Sequence, residues 1–107
     1  MSTNRIEEFQ DGLLWSTESE GNLTIGVTES ALAQAGTLAA IDLAEPGDEF
    51  SSGDWIGELR GKDSVIEITA PCDLKILERN EQVLSQLSLL EDDPTGDAWL
   101  LRVECGV

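Results

Sequence analysis

Along most of the chain apolar residues recur at every second position, in short runs broken by glycine, proline and acidic residues. In residues 23–27 Leu23, Ile25 and Val27 share a face, which is the pattern of a half-buried strand. Residues 13–17 predict a strand before it, with Glu20, Gly21 and Asn22 as the turn between them. Thr28 is placed to cap the run ESALAQA, and Gly36 suits the position just past its end, so one or two helical turns are expected. Residues 37–43 put Ala39, Ile41 and Leu43 on one side, and AEPGD (residues 44–48) supplies a turn. The runs 55–60 and 64–70, the latter with Ile66, Ile68 and Ala70 alternating, flank Gly61, Lys62 and Asp63 and predict a β-hairpin. Residues 74–79 alternate again. The period then changes: in EQVLSQLSLLE (residues 81–91) Leu84, Leu87 and Glu91 fall at helical spacing with Leu90 adjacent, predicting one short helix. A last strand is expected over residues 98–104. Many short strands separated by turn signals predict a mainly β sandwich or barrel, and no linker or repeat divides residues 1–107, so one domain is expected.

Charge narrows the partners. The 107 residues carry 22 acidic against 6 basic side chains, a net charge of -16. Such a surface repels phosphates and anionic lipid, so neither nucleic acid nor a membrane is an expected partner. A basic protein would be attracted, and the plainer reading is that acidity keeps the protein soluble. With 40% apolar residues the acidity decorates a globular core and does not signal disorder. No run is long enough to span a membrane and residues 1–11 lack the apolar core of a signal peptide, so a cytoplasmic protein is expected.

The residue inventory removes whole classes of chemistry. Without histidine or tyrosine there is no imidazole base, no Ser-His dyad and no imidazole metal site. Cys72 and Cys105 form neither a CxxC motif nor a disulfide framework. Cys72 is expected as a buried thiol and Cys105 as an exposed free one; a shared redox role would require them to meet in space. EDDPTGD (residues 91–97) lacks the alternating ligands of a calcium loop, and Pro94 and Gly96 make it an ordinary turn. No metal site and no enzyme are expected. Trp15, Trp55 and Trp99 are read as core or sheet-face residues.

The motifs together, however, resemble one family. LTIGVTESALAQAG is similar to the stretch TVTVGITDYAQEALG of the glycine cleavage system H-protein. IDLAEPGDEFSSGD resembles its VELPEVGDTVEAGE, ITAP its IYAP, and EDDPTGDAWLLRV its NEDPYGEGWLFKI. These stretches keep order and spacing over about residues 13–103. The resemblance implies a barrel-sandwich hybrid of two antiparallel sheets with one or two short helices. It also implies a lipoyl-lysine on an exposed hairpin tip, in a carrier that is not itself an enzyme. In the family that arm takes an aminomethyl group from glycine decarboxylase, passes it to an aminomethyltransferase, and is reoxidised by dihydrolipoyl dehydrogenase. An acidic surface would suit docking to such partners.

At the attachment motif the resemblance fails. Laid without a gap, the lysine of the family's ESVKA falls on Asp63 and its glutamate on Arg60. The glycine of APVSG falls on Leu74, and HEW becomes Leu13, Leu14 and Trp15. Lys62 stands one position away. A one-residue slip would turn the flanking side chains to the wrong faces, so Lys62 would need a rearranged turn, such as a bulge at Gly61. Its plainer reading is a surface turn residue; Lys75, the other lysine, falls in a strand. The expectation is an H-protein-like domain that carries no cofactor and acts as a non-catalytic protein-binding or regulatory module. Glycine cleavage enzymes or lipoate-handling enzymes are the expected partners, with occupation of the latter as a pseudo-substrate one form of the role. The alternative is a lipoyl carrier with lipoate on Lys62.

Overall fold

Each alternating run buries one face, and the buried faces of two antiparallel sheets enclose a common core. The computed structural model describes residues 6–10, 12–19, 21–92 and 98–106. The larger sheet contains β1 (Ile6–Phe9), β2 (Leu14–Ser19), β3 (Asn22–Val27), β5 (Glu49–Phe50), β8 (Leu74–Arg79) and β9 (Leu101–Cys105), in the order β1-β2-β3-β9-β8-β5. The smaller sheet contains β4 (Leu38–Leu43), β6 (Trp55–Gly61) and β7 (Val65–Thr69), in the order β4-β6-β7. This is the mainly β architecture that the alternation predicts, in the barrel-sandwich form that the family resemblance implies.

Ile25, Val27, Leu74, Ile76, Leu101 and Val103 face inward from the larger sheet, and Ile41, Ile56, Leu59, Ile66 and Ile68 from the smaller. Each fully buried aliphatic side chain stabilises the fold by about 1.5–3 kcal/mol. Trp15 lies across its cross-strand neighbour Gly26, where an added Cβ would come within 2.5 Å of the indole. Glycine at 26 is therefore what lets the ring bury to 2% exposure.

Helix α1 (Glu29–Ala35) forms as expected: the Thr28 hydroxyl accepts from the Ala31 amide at 3.3 Å, and Gly36, at φ +80°, donates its amide to the Leu32 carbonyl. The Thr28 hydroxyl also donates to the Gly12 carbonyl at 2.6 Å, tying the helix start to the turn before β2.

The sequence pattern misses in four places. Ala39, expected inward with Ile41 and Leu43, is exposed, because the β4–β6 register shifts between Leu38 and Ala40. The helix expected over residues 81–91 is two, α2 (Glu81–Ser85) and α3 (Ser88–Asp92), since Gln86 adopts an extended conformation between them. Consequently Val83 and Leu90 reach the core, while Leu84 and Leu87 are half-buried. Strands β1 and β5 were not expected. Lastly, Cys72 and Cys105 are not separate thiols: they form a disulfide, with Cα atoms 6.0 Å apart. The β8–β9 pairing sets Cys105 opposite Leu74, two residues after Cys72, and so brings the sulfurs together.

Residues 93–97 of EDDPTGD lie outside the described residues; Glu91 and Asp92 belong to α3. Among the described residues no group of three or more acidic, cysteine or histidine side chains is arranged to hold a metal ion. No helix among them is long and apolar enough to cross a membrane.

One further contact joins the two sheets. Gln10, at φ 56°, lies just after β1 and brackets the outer edge of β7. Its amide nitrogen donates to the Glu67 carbonyl, and its oxygen accepts from the amide and hydroxyl of Thr69 at 3.2 and 2.8 Å.

Candidate functional site

Strands β6 and β7 pair with Leu59 opposite Ile66 and Arg60 opposite Val65. The Gly61 amide donates to the Ser64 carbonyl at 3.0 Å, so Lys62 and Asp63 form a two-residue tip. The irregularity in this hairpin falls between Trp55 and Gly57, so the register at Gly61 is unshifted and the bulge considered there does not occur.

The tip is seated on the end of α1. The Lys62 amide donates to the Thr37 carbonyl at 2.8 Å, and the Asp63 and Ser64 amides to the Ala35 carbonyl at 2.9 and 3.3 Å. The last carbonyls of a helix lack partners within it, and here the hairpin supplies them. The approach is close enough to dictate glycine. A Cβ on Gly61 would stand 2.1 Å from the Ala35 oxygen, and one on Gly36 would stand 2.5 Å from the Asp63 carboxylate. The cap at Thr28, which starts α1, thus helps to position a tip far along the chain from it.

Both tip side chains are exposed. The Asp63 carboxylate lies over Gly36, and the Lys62 ammonium makes no ion pair among the described residues. One position before Gly61, Arg60 lies on the outer face of the smaller sheet. Its Nε meets Glu58 at 2.5 Å and its Nη2 meets Asp42, across on β4, at 3.7 Å. Glu58 also accepts from the indole nitrogen of Trp55 at 3.3 Å. The hydrogen bond from Arg60 holds the Glu58 carboxyl below its ordinary range, and Glu58 in turn raises the Arg60 guanidinium. Arg60 therefore has local partners of its own.

The remaining sequence-predicted positions lie elsewhere. Leu74 is fully buried at the start of β8, where it pairs with Cys105. Leu14 and Trp15 are buried in the core and Leu13 is half-buried, so apolar packing fills the stretch aligned with HEW. Lys75 lies in β8, in register between Glu49 and Glu104. Sequence reading missed the Trp55–Glu58–Arg60–Asp42 chain. The alternation of Glu58 and Arg60 on one strand face signalled half of it; Asp42 comes from another strand and left no such signal.

The family model described as Glycine cleavage H-protein matches residues 5–106. The chain belongs to the glycine cleavage H-protein family. A glycine cleavage system H protein of Staphylococcus saprophyticus is 36% identical over 86 residues, covering 79% of this chain and 68% of that protein. The glycine cleavage system H protein of Bifidobacterium longum is 35% identical over 97 residues, covering 91% of this chain and 71% of that one. The chain thus spans about two thirds of the length of these H proteins. Among solved structures, a glycine cleavage system H protein from Mycobacterium marinum superposes with a TM-score of 0.86 at 25% identity, covering 95% of this chain and 84% of that chain. The likeness to H proteins therefore extends over both sheets and the seated hairpin.

Proposed function

We propose that this H-protein-family chain is a non-catalytic protein-binding or regulatory module that carries no lipoyl group. The observation that carries this reading is Asp63 on the exposed two-residue tip, where a gapless match sets the family's attachment lysine. A carboxylate cannot form the amide that attaches lipoate. Arg60, in place of the family's glutamate, is engaged by Glu58 and Asp42 and presents no acid to a modifying enzyme. The residues at 60 and 63 do not fit lipoate attachment. In this reading the chain works in the cytoplasm and its partners are proteins, either glycine cleavage enzymes or enzymes that handle lipoate. The acidic surface favours basic docking faces.

The second reading places lipoate on Lys62, favoured by an exposed ammonium at the same tip without an ion pair among the described residues. Intact-mass measurement of the protein from its lipoate-replete native host separates the two. The expected result is the unmodified mass. A mass higher by one lipoyl group, absent in Lys62→Ala, would overturn the first reading in favour of the second.

A further inference from the structure

Cys72 and Cys105 lie at the opposite end of β7 from the hairpin tip. Cys72 sits on the bend of residues 71–73 and Cys105 is the last residue of β9. Both are half-buried against the margin of the core, while Pro71, Asp73, Glu104 and Gly106 around them are exposed. The backbone on either side is held without the bond: Leu74 pairs with Cys105, and the Gly106 amide donates to the Asp73 carbonyl at 2.9 Å. The disulfide is therefore a clasp on strands that backbone hydrogen bonds already pair.

The surroundings of the clasp are acidic. Asp73 and Glu104 are the immediate neighbours of the two cysteines. Glu49, Asp54 and Asp73 line an adjoining hollow of about 210 Å³. Two of these carboxylates are fixed, Asp73 by the Ser52 amide and Asp54 by the Ser51 amide, each at 2.9 Å. The nearest lysine along the chain, Lys75, stands in register between Glu49 and Glu104.

We propose that the Cys72–Cys105 disulfide is a reversible thiol–disulfide exchange site, reduced by a dithiol that is neutral or positively charged around its reacting sulfur. A thiolate of that dithiol attacks one sulfur, the Cys72–Cys105 bond breaks, and the departing cysteine thiolate takes up a proton. The second thiol of the reductant loses its proton and attacks the mixed disulfide, releasing the other cysteine, which is protonated in turn. Two electrons pass to the protein and the reductant leaves as a disulfide. The attacking species is an anion and meets fixed carboxylates, so added negative charge on the reductant slows its approach. This inference is independent of the state of Lys62 and Asp63.

The test uses the full chain, with alkylation and intact mass under non-denaturing conditions. No alkylation is expected before reduction and two alkyl groups after it, with the far-ultraviolet circular dichroism retained. Rates of opening by cysteamine, 2-mercaptoethanol and glutathione, compared at equal thiolate concentration and each divided by that thiol's rate on a small uncharged disulfide to cancel its intrinsic nucleophilicity, should fall in that order. At low salt about 3–10-fold is expected between the first and last, shrinking as salt is raised. Asp73→Asn with Glu104→Gln should bring the glutathione rate towards that of 2-mercaptoethanol. Cysteines that stay open to alkylation after treatment with a disulfide oxidant would overturn the proposal. So would opening only in denaturant, which marks a permanent staple, or rates indifferent to thiol charge in the unmutated protein.

Discussion

The two ends of β7 are fastened in opposite ways. At the tip, the Asp63 and Ser64 amides bond to the Ala35 carbonyl at the end of α1 and the Lys62 amide to the Thr37 carbonyl just past it, and Gly61 makes room for the close approach. At the far end a bond between two side chains, Cys72 and Cys105, links the bend after β7 to β9. The hydrogen bonds of a backbone fastening do not depend on which side chains stand at 62 and 63, so those residues can change, within the space over Gly36, while the hairpin stays in place. A side-chain fastening vanishes with either cysteine. The difference lets the hairpin keep its seat while the residues at its tip vary.

Three variants probe this contrast. The largest effect is expected from Cys72→Ser with Cys105→Ser. The bond spans 33 residues, and its loss should lower stability by about 3–4 kcal/mol through the freed unfolded chain. Denaturant titration checks the magnitude, while hydrogen exchange should find the Lys62 and Asp63 amides still protected; loss of that protection would show the two ends to be coupled. Gly61→Ala should cost about 1–3 kcal/mol, because its Cβ meets backbone and either the tip or the end of α1 must shift. Here protection of the tip amides should fall while the disulfide persists, and an unchanged unfolding midpoint would refute the close seating.

The smallest effect concerns Arg60→Gln. The hydrogen bond from Arg60 holds Glu58 below its ordinary range, so this exposed pair adds stability that is present above the unfolded carboxyl pKa and is lost as pH falls through the folded one. Removing the guanidinium should raise the Glu58 pKa towards the usual carboxylate value. A carboxyl carbon titration by nuclear magnetic resonance reads this directly; an unmoved Glu58 would mean that the pair does not form in solution.

Much of the fold was legible because one-sided burial writes a period of two into the chain. The caps at Thr28 and Gly36 announced α1, and the alternating runs on either side placed the turn at Gly61, Lys62 and Asp63, though not that Gly61 ends β6 and leaves a two-residue tip. What was hidden had physical reasons. The bulge beside Ala39 changes register without a marker residue. The stretch around Leu84, Leu87, Leu89 and Leu90 is apolar on too many sides for its period to reveal the break at Gln86. β5 has only Glu49 and Phe50, too few to show alternation. The disulfide depends on which strands pair, and neither cysteine carries that information locally. Arg60 was readable as a charge reversal, but its partner Asp42 comes from a different strand.

The bracket formed by Gln10 has a consequence for how anything can approach the smaller sheet. β7 is an edge strand, and an open edge invites a foreign strand to extend the sheet. By occupying the Glu67 carbonyl and the Thr69 amide, one side chain imitates the missing neighbour in the middle of that edge. Strand addition there would first have to evict it. A partner that docks on this side must therefore read side chains such as Trp55, Arg60 and Val65, and the same device guards the protein against edge-to-edge aggregation.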